Sequence, residues 1–387
     1  AAYFAPQFSG KKLPSTDVTQ YEGMSKEIKD HMQEYGEDPQ WTGSMFGGMP
    51  GTLIVMQHDS MLLKPAIRVF DLLGQPMSNI FIAMLAFFVM LLLWRVNPWV
   101  AIVPSLAYWL STYFFLIMGA GHLTKMWALA FAPLMIGSMG YTFRGNKWLG
   151  GALTAVFASI EIACNHPQIT YYFLLVMIAL WINQLVRAYK DKWLPKFAKI
   201  TGILAFAAVL AVGSNAAMLY YISDYGKDSM RGGSELASNG TTNSKGLDID
   251  YATGWSYGKM ETFNMFIPDF TGGASDRGFS GNGEVAQALA AYNAKDMAAH
   301  PPGYWGPQAW TGGPTYIGAV IIFLCVLGLF LLKGRNKWWI VIITAIAIML
   351  AWGRNFMWFT ELFFNFFPGY NKFRTVAMIL VIAQWSI

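Results

Sequence analysis

Apolar and polar positions fall in blocks along this chain. Long apolar runs occupy roughly 77–95, 98–118, 123–142, 147–164, 167–188, 198–222, 315–333, 337–353 and 374 onward. Each approaches the ~20 residues an α-helix needs to cross the hydrocarbon core of a bilayer. The opening "AAYFAPQF" (1–8) reads as the end of a truncated first span, and "AMILVIAQWSI" at the close stops inside an apolar run. Polar stretches at 9–76 and 223–314 separate these blocks. The pattern predicts an all-α polytopic membrane protein with two large loops. A six-span bundle covers 77–222, and further spans cover 315–387.

The polar stretches carry their own periodicity. In the first, Tyr21, Met24, Ile28, Met32 and Tyr35 recur at spacings of three and four, which predicts an amphipathic helix lying along a membrane surface. "TQYE" at 19–22 fits a capping box with Thr19 as N-cap and Glu22 at the third helical position, leaving Asp17 just ahead of the helix. "MFGGMPG" (45–51) reads as a structural turn, and "MQHDS" (56–60) sets His58 beside Asp59, a weak metal signal. The second stretch is rich in glycine and turn signals, with a short helix expected near 284–299 and a glycosylation sequon, "NGT", at 239–241. The aromatic segment 354–373 reads as an interfacial helix followed by a turn at "PGYN".

Composition agrees with the pattern: 55% of residues are hydrophobic and only 13% charged, against about a quarter charged in soluble domains. A net charge of +5 raises the question of nucleic acid, but the distribution of the cations answers it. If each span switches sides, Arg95, Arg144, Lys147, Arg187, Lys190, Lys192, Lys196, Lys199, Lys333, Arg335 and Lys337 all fall on one side. The positive-inside bias makes that side the cytoplasm and places both long loops outside, with no nucleic-acid partner implied. Cys164 and Cys325 lie at or inside apolar runs and read as small core residues.

Candidate chemistry is sparse and lies on the outer side. Asp17 has two readings: a solvated or capping acid, or a general base that takes a proton from an acceptor hydroxyl. Glu161 sits about one turn from the outer end of its span. It is either a snorkelling acid or part of a site, since carboxylates within a membrane are costly. His166 precedes Pro167 at a helix start and reads first as a hydrogen-bonding residue. Lys125, Arg354, Lys372 and Arg374 are outer cations, suited to a phosphate or pyrophosphate or else snorkelling near helix ends. Trp255, Tyr257, Trp305 and Trp310 are aromatics able to stack on sugar rings, as well as ordinary residents of a membrane interface. There is no Walker loop, no HExxH and no clustered Cys/His set.

"FSGKKLPSTDVTQYEGM", "WTGSMFGGMPG", "NHPQITYYF", "WSYGKMETFNMFIPDFTGG" and "FPGYNKFRTVAM" occur in this order along the chain. Together they resemble the YfhO-family bacterial membrane proteins, in versions like those of Bacteroidetes. The resemblance implies a GT-C superfamily fold and a glycosyltransferase of the cell envelope. Such an enzyme moves a sugar from a polyprenyl-phosphate donor to a glycan, lipid or protein acceptor outside the bacterial cytoplasmic (inner) membrane. It implies that Asp17 is the catalytic acid of the first outer loop, and that Arg374, Lys372, Arg354 and Lys125 contact the donor phosphate. Glu161, His166, Trp255 and Tyr257 then fall to substrate. Asp17 and Arg374 are expected to face one outer pocket. Because Asp17 stands alone where some relatives pair two acids, no cofactor is assigned and a divalent metal stays open. Two other classes remain: a transporter or flippase of a lipid-linked substrate, and a noncatalytic assembly subunit.

Overall fold

A computed structural model describes residues 5–387 except 12, 14, 56–66, 68, 72, 233–245, 277–282 and 295–302. His58, Asp59 and the 239–241 sequon lie outside the described residues; the helix expected near 284–299 is shorter, ending at Ala291 with Tyr292 as its C-cap. The chain is all-α, its described strands limited to a two-residue hairpin of β1 (Trp41–Thr42) and β2 (Met49–Pro50). It divides into two compact units: residues 1–105 with 117–238, and residues 106–116 with 239–387.

In the first unit, helix α1 (Thr16–Tyr35) precedes the bundle. The bundle follows as α2 (Met77–Leu93), α3 (Pro98–Leu110), α4 (Thr112–Ala120), α5 (Leu123–Arg144), α6 (Lys147–Ala163), α7 (Pro167–Lys190), α8 (Leu194–Gly213) and α9 (Ala216–Lys227). Residues 106–116 of the α3–α4 pair belong to the second unit. Helix α5 is the centre: nearly all of its apolar window is buried, and it packs on α2, α6 and α7. Small residues set these crossings. A Cβ on Gly137 would lie 2.8 Å from the Met90 Cα, and one on Gly150 2.6 Å from the Thr142 Cα, so the backbones touch where glycine allows it. By contrast α8 turns Phe206, Val209 and Leu210 outward, as a helix bordered by lipid does.

Three helices (α5, α7 and α8) are long and apolar enough to cross a membrane, and five spans result if two bent pairs each count once, among the described residues. One bent pair is α3–α4, with a 41° break at Ser111. The span expected at 198–222 proves to be two helices. Asn215 breaks it by donating its side-chain amide to the carbonyls of Ser159 (3.0 Å) and Ala211 (2.9 Å).

The second unit contains α10 (Ile249–Ala252), α11 (Glu284–Ala291), α12 (Ala319–Leu331), α13 (Trp338–Ala351), α14 (Met357–Phe366) and α15 (Leu380–Ser386). After α13 the chain bends by 113° into the aromatic helix. Gly353 makes the bend: its φ is +48°, and a Cβ there would lie 2.1 Å from the Ser256 Oγ. The polar stretch before α12 is knotted around a carboxylate. Buried Glu261 accepts from Gly258 N (2.5 Å), Tyr304 Oη (2.6 Å) and Gln308 Nε2 (3.1 Å).

Candidate functional site

The first unit has two chemically distinct ends. At one end Arg95 donates to the Arg144 carbonyl at 3.4 Å, with Arg187 within electrostatic reach of Arg144. The other end, reached along the 22 residues of α5 or about 33 Å of helix, carries Lys125 in the first turn of α5, Glu161 near the end of α6 and His166 at the start of α7. Helix α1 brings Asp17 to this second end.

The way α1 begins decides where Asp17 points. The N-cap is Ser15, four residues earlier than the capping-box reading placed it. Its hydroxyl accepts from Val18 N (3.4 Å) and donates to the Ala120 carbonyl (3.2 Å). Thr19 does not cap, because its hydroxyl donates back to the Ser15 carbonyl (3.1 Å). Asp17 therefore lies inside the first turn, where the helix dipole favours an anion, and is spared capping. Gly121 permits the approach. Its φ is +84°, and a Cβ on it would fall 1.7 Å from the Ser15 Oγ and 3.4 Å from the Asp17 Cβ.

Asp17 Oδ2 meets His122 Nε2 at 3.1 Å, and Lys125 Nζ meets His122 Nδ1 at 3.0 Å. The Asp17 and His122 side chains are 48% and 39% exposed, so the carboxylate is open to water on one side. Lys125 is buried, and its ammonium contacts the ring of His122. Burial, then the charge of Lys125, hold the His122 imidazole below its ordinary pKa, against the opposing pull of Asp17.

His166 stands beside this group. It caps α7 by accepting from Ile169 N at 3.3 Å, with Pro167 in the first turn as the sequence predicts. Burial and the charge of Lys125 push its pKa down to about 3. Thr170 links it to Glu161: the Thr170 hydroxyl lies 3.3 Å from the His166 carbonyl and donates to Glu161 Oε1 at 3.1 Å. Glu161 is fully buried, and its Oε2 has no partner among the described residues.

In the second unit, two of the expected phosphate contacts, Arg354 and Arg374, bond to residues 251–256. Arg354 donates from Nε to the Thr253 carbonyl (3.1 Å), and its backbone N–H donates to the Ser256 Oγ (2.9 Å). Arg374 donates to the Tyr251 hydroxyl (2.8 Å) and stands over that ring. Lys372 is in the turn whose Asn371 carbonyl accepts from Leu247 N at 2.9 Å. Both guanidinium-bearing residues are exposed. Lys125 and Asp17 belong to the first unit and these three cations to the second.

The aromatics divide. Trp255 is partly exposed and donates from Nε1 to the Trp310 carbonyl at 3.1 Å. Tyr257 is 2% exposed, so its ring is a core residue and offers no stacking face. Its backbone N–H donates to the Ala351 carbonyl, which draws it inside. Also within this unit, an open cleft of about 510 Å³ is lined by Phe115, Leu116, Asp269, Gly272, Trp305 and Pro314, among others. Trp305 is 60% exposed there and Asp269 is exposed.

Sequence reasoning missed two of these features. His122 was visible only as part of "GAGHLTK", and its signal is a lysine one turn on, at a helix N-terminus where the dipole disfavours a cation. The cleft joins residues 112–116 to residues 269–314, a pairing that local pattern does not reveal. Among the described residues no group of three His, Cys, Asp or Glu side chains is placed to hold a metal ion. No protein-family model, curated protein or solved structure matches the chain.

Proposed function

We propose that this protein is a membrane glycosyltransferase of the GT-C type, moving a sugar from a polyprenyl-phosphate donor to an acceptor hydroxyl outside the bacterial cytoplasmic membrane. One observation carries the reading. A water-accessible carboxylate, Asp17, is held by His122 at the end of the bundle away from the Arg95–Arg144–Arg187 cluster. The positive-inside bias assigns that cluster to the cytoplasm and Asp17 to the outer face.

In the reaction the acceptor oxygen attacks the anomeric carbon, and the bond from that carbon to the phosphate oxygen breaks with its electron pair leaving on the lipid phosphate. Asp17 takes the acceptor's proton. A single displacement inverts the anomeric centre. Taken by itself, the second unit carries exposed Arg354 and Arg374, cations of the kind that bind a phosphate group. Within the second unit, the cleft with Trp305 and Asp269 suits a glycan, the ring face for stacking and the carboxylate for hydroxyls.

The test is purified protein in lipid nanodiscs with a panel of polyprenyl-phosphate sugars and release of polyprenyl phosphate as the readout. Release with at least one donor, dependent on an added acceptor, supports the enzyme. Movement of intact lipid-linked sugar across sealed vesicles, with no release from any donor, would establish the transporter instead.

A further inference from the structure

The contact between Asp17 and His122 contains more than proximity. Lys125 carries an ammonium group, which donates hydrogen bonds and accepts none. Its Nζ lies 3.0 Å from His122 Nδ1, so Nδ1 presents a lone pair. The proton of the neutral ring is then on Nε2, which faces Asp17 Oδ2 at 3.1 Å and donates to it. The tautomer follows from the partners on either side.

We propose that His122 is a positioning residue for Asp17: pinned by Lys125 as the neutral Nε2–H tautomer, it fixes one carboxylate oxygen and leaves the other to the acceptor hydroxyl. The inference rests on the base role of Asp17 and deepens it. Oδ2 is occupied by His122, while no described residue bonds Oδ1 and about half of the side chain is exposed. A neutral imidazole matters for a base. An imidazolium at 3.1 Å would hold the carboxylate in an ion pair and compete with the acceptor's hydroxyl for it, whereas a neutral N–H orients it by a single hydrogen bond.

The charged and titratable groups facing His122 are Asp17 from α1, Lys125 on its own helix and His166 from the start of α7. Lys125 disfavours a second proton on the ring, Asp17 favours it, and burial disfavours it. The lysine is therefore the element that keeps the ring neutral against the pull of the acid. This gives Lys125 a role other than phosphate contact, consistent with its burial.

The experiment compares His122→Phe, His122→Gln, Lys125→Met and Asp17→Asn in the polyprenyl-phosphate release assay, with thermal unfolding as a folding control. ¹⁵N shifts of the His122 ring are recorded in labelled wild type and Lys125→Met. The wild-type ring should show an unprotonated Nδ1 and a protonated Nε2 at neutral pH. His122→Phe should lower kcat on the order of tenfold or more with little change in KM, as expected when a catalytic group loses its orientation. Glutamine presents an N–H near the same place and should restore most of the rate. Lys125→Met should move the acid limb of the pH–rate profile upward, because the ring then protonates more readily. A wild-type kcat in His122→Phe, glutamine no better than phenylalanine, an unmoved acid limb or an Nδ1–H tautomer would each overturn the inference. Full activity in Asp17→Asn would instead overturn the base role on which it rests, so the two failures are separable.

Discussion

Gly121 is the residue on which the Asp17 geometry turns. With φ at +84° and Ser15 Oγ where a Cβ would go, alanine there must both strain the backbone and push α1 away from His122. Gly121→Ala should cost roughly 1–3 kcal/mol from the backbone conformation alone. It should also reduce transfer, because the Asp17–His122 contact opens; thermal unfolding and the release assay check the two effects. The histidines make a second prediction. His166 is held near 3 and His122 is lowered, so the folded state refuses protons that the unfolded chain accepts. Their contribution to stability is full above the ordinary value near 6.5 and is lost as pH falls below it toward the folded values. Thermal unfolding midpoints should drop from pH 7 to pH 5. His166→Asn keeps an N-cap without a titrating group and should flatten that dependence. The place of Asp17 near a helix start is a local pattern that sequence shows, as is Pro167 in a first turn behind a hydrogen-bonding His166; that His166 caps α7 emerges only from the structure. His122 was not, since its importance comes from Asp17 more than a hundred positions away.

At the scale of elements, hydropathy located the helices and missed where they break. The break at Asn215 sits inside an apolar run, and its cause is a pair of hydrogen bonds, one of them to the neighbouring α6. Ser111 breaks another run, and its hydroxyl donates to the Tyr108 carbonyl at 3.1 Å. The amphipathic helix has its N-cap at Ser15 and not at Thr19: both are competent caps, and the contact of Ser15 with Ala120 selects the first. The polar stretch before α12 owes its order to Glu261, which no periodicity singled out. Glu261→Ala should leave buried donors from Gly258, Tyr304 and Gln308 without an acceptor, at about 1–3 kcal/mol each. The expected readout is a lowered unfolding temperature with faster proteolysis of residues 247–317. Glu261→Gln should fall between the alanine variant and wild type.

For the molecule as a whole, the all-α class and membrane-competent helices were legible from hydropathy alone. Arg95, Arg144 and Arg187, three of the eleven cations expected on one side, meet at the end of α5 remote from Lys125. The division of the chain between two units was not legible, because residues 106–116 join partners far away in sequence. What unites the account is the claim that Asp17 performs chemistry rather than merely solvating a helix end. The most direct measurement is the rate of polyprenyl-phosphate release by Asp17→Asn beside wild type, in equally folded preparations with the same donor and acceptor. Loss of the general base predicts a fall of about 10²–10⁴-fold; release at the wild-type rate would contradict the account.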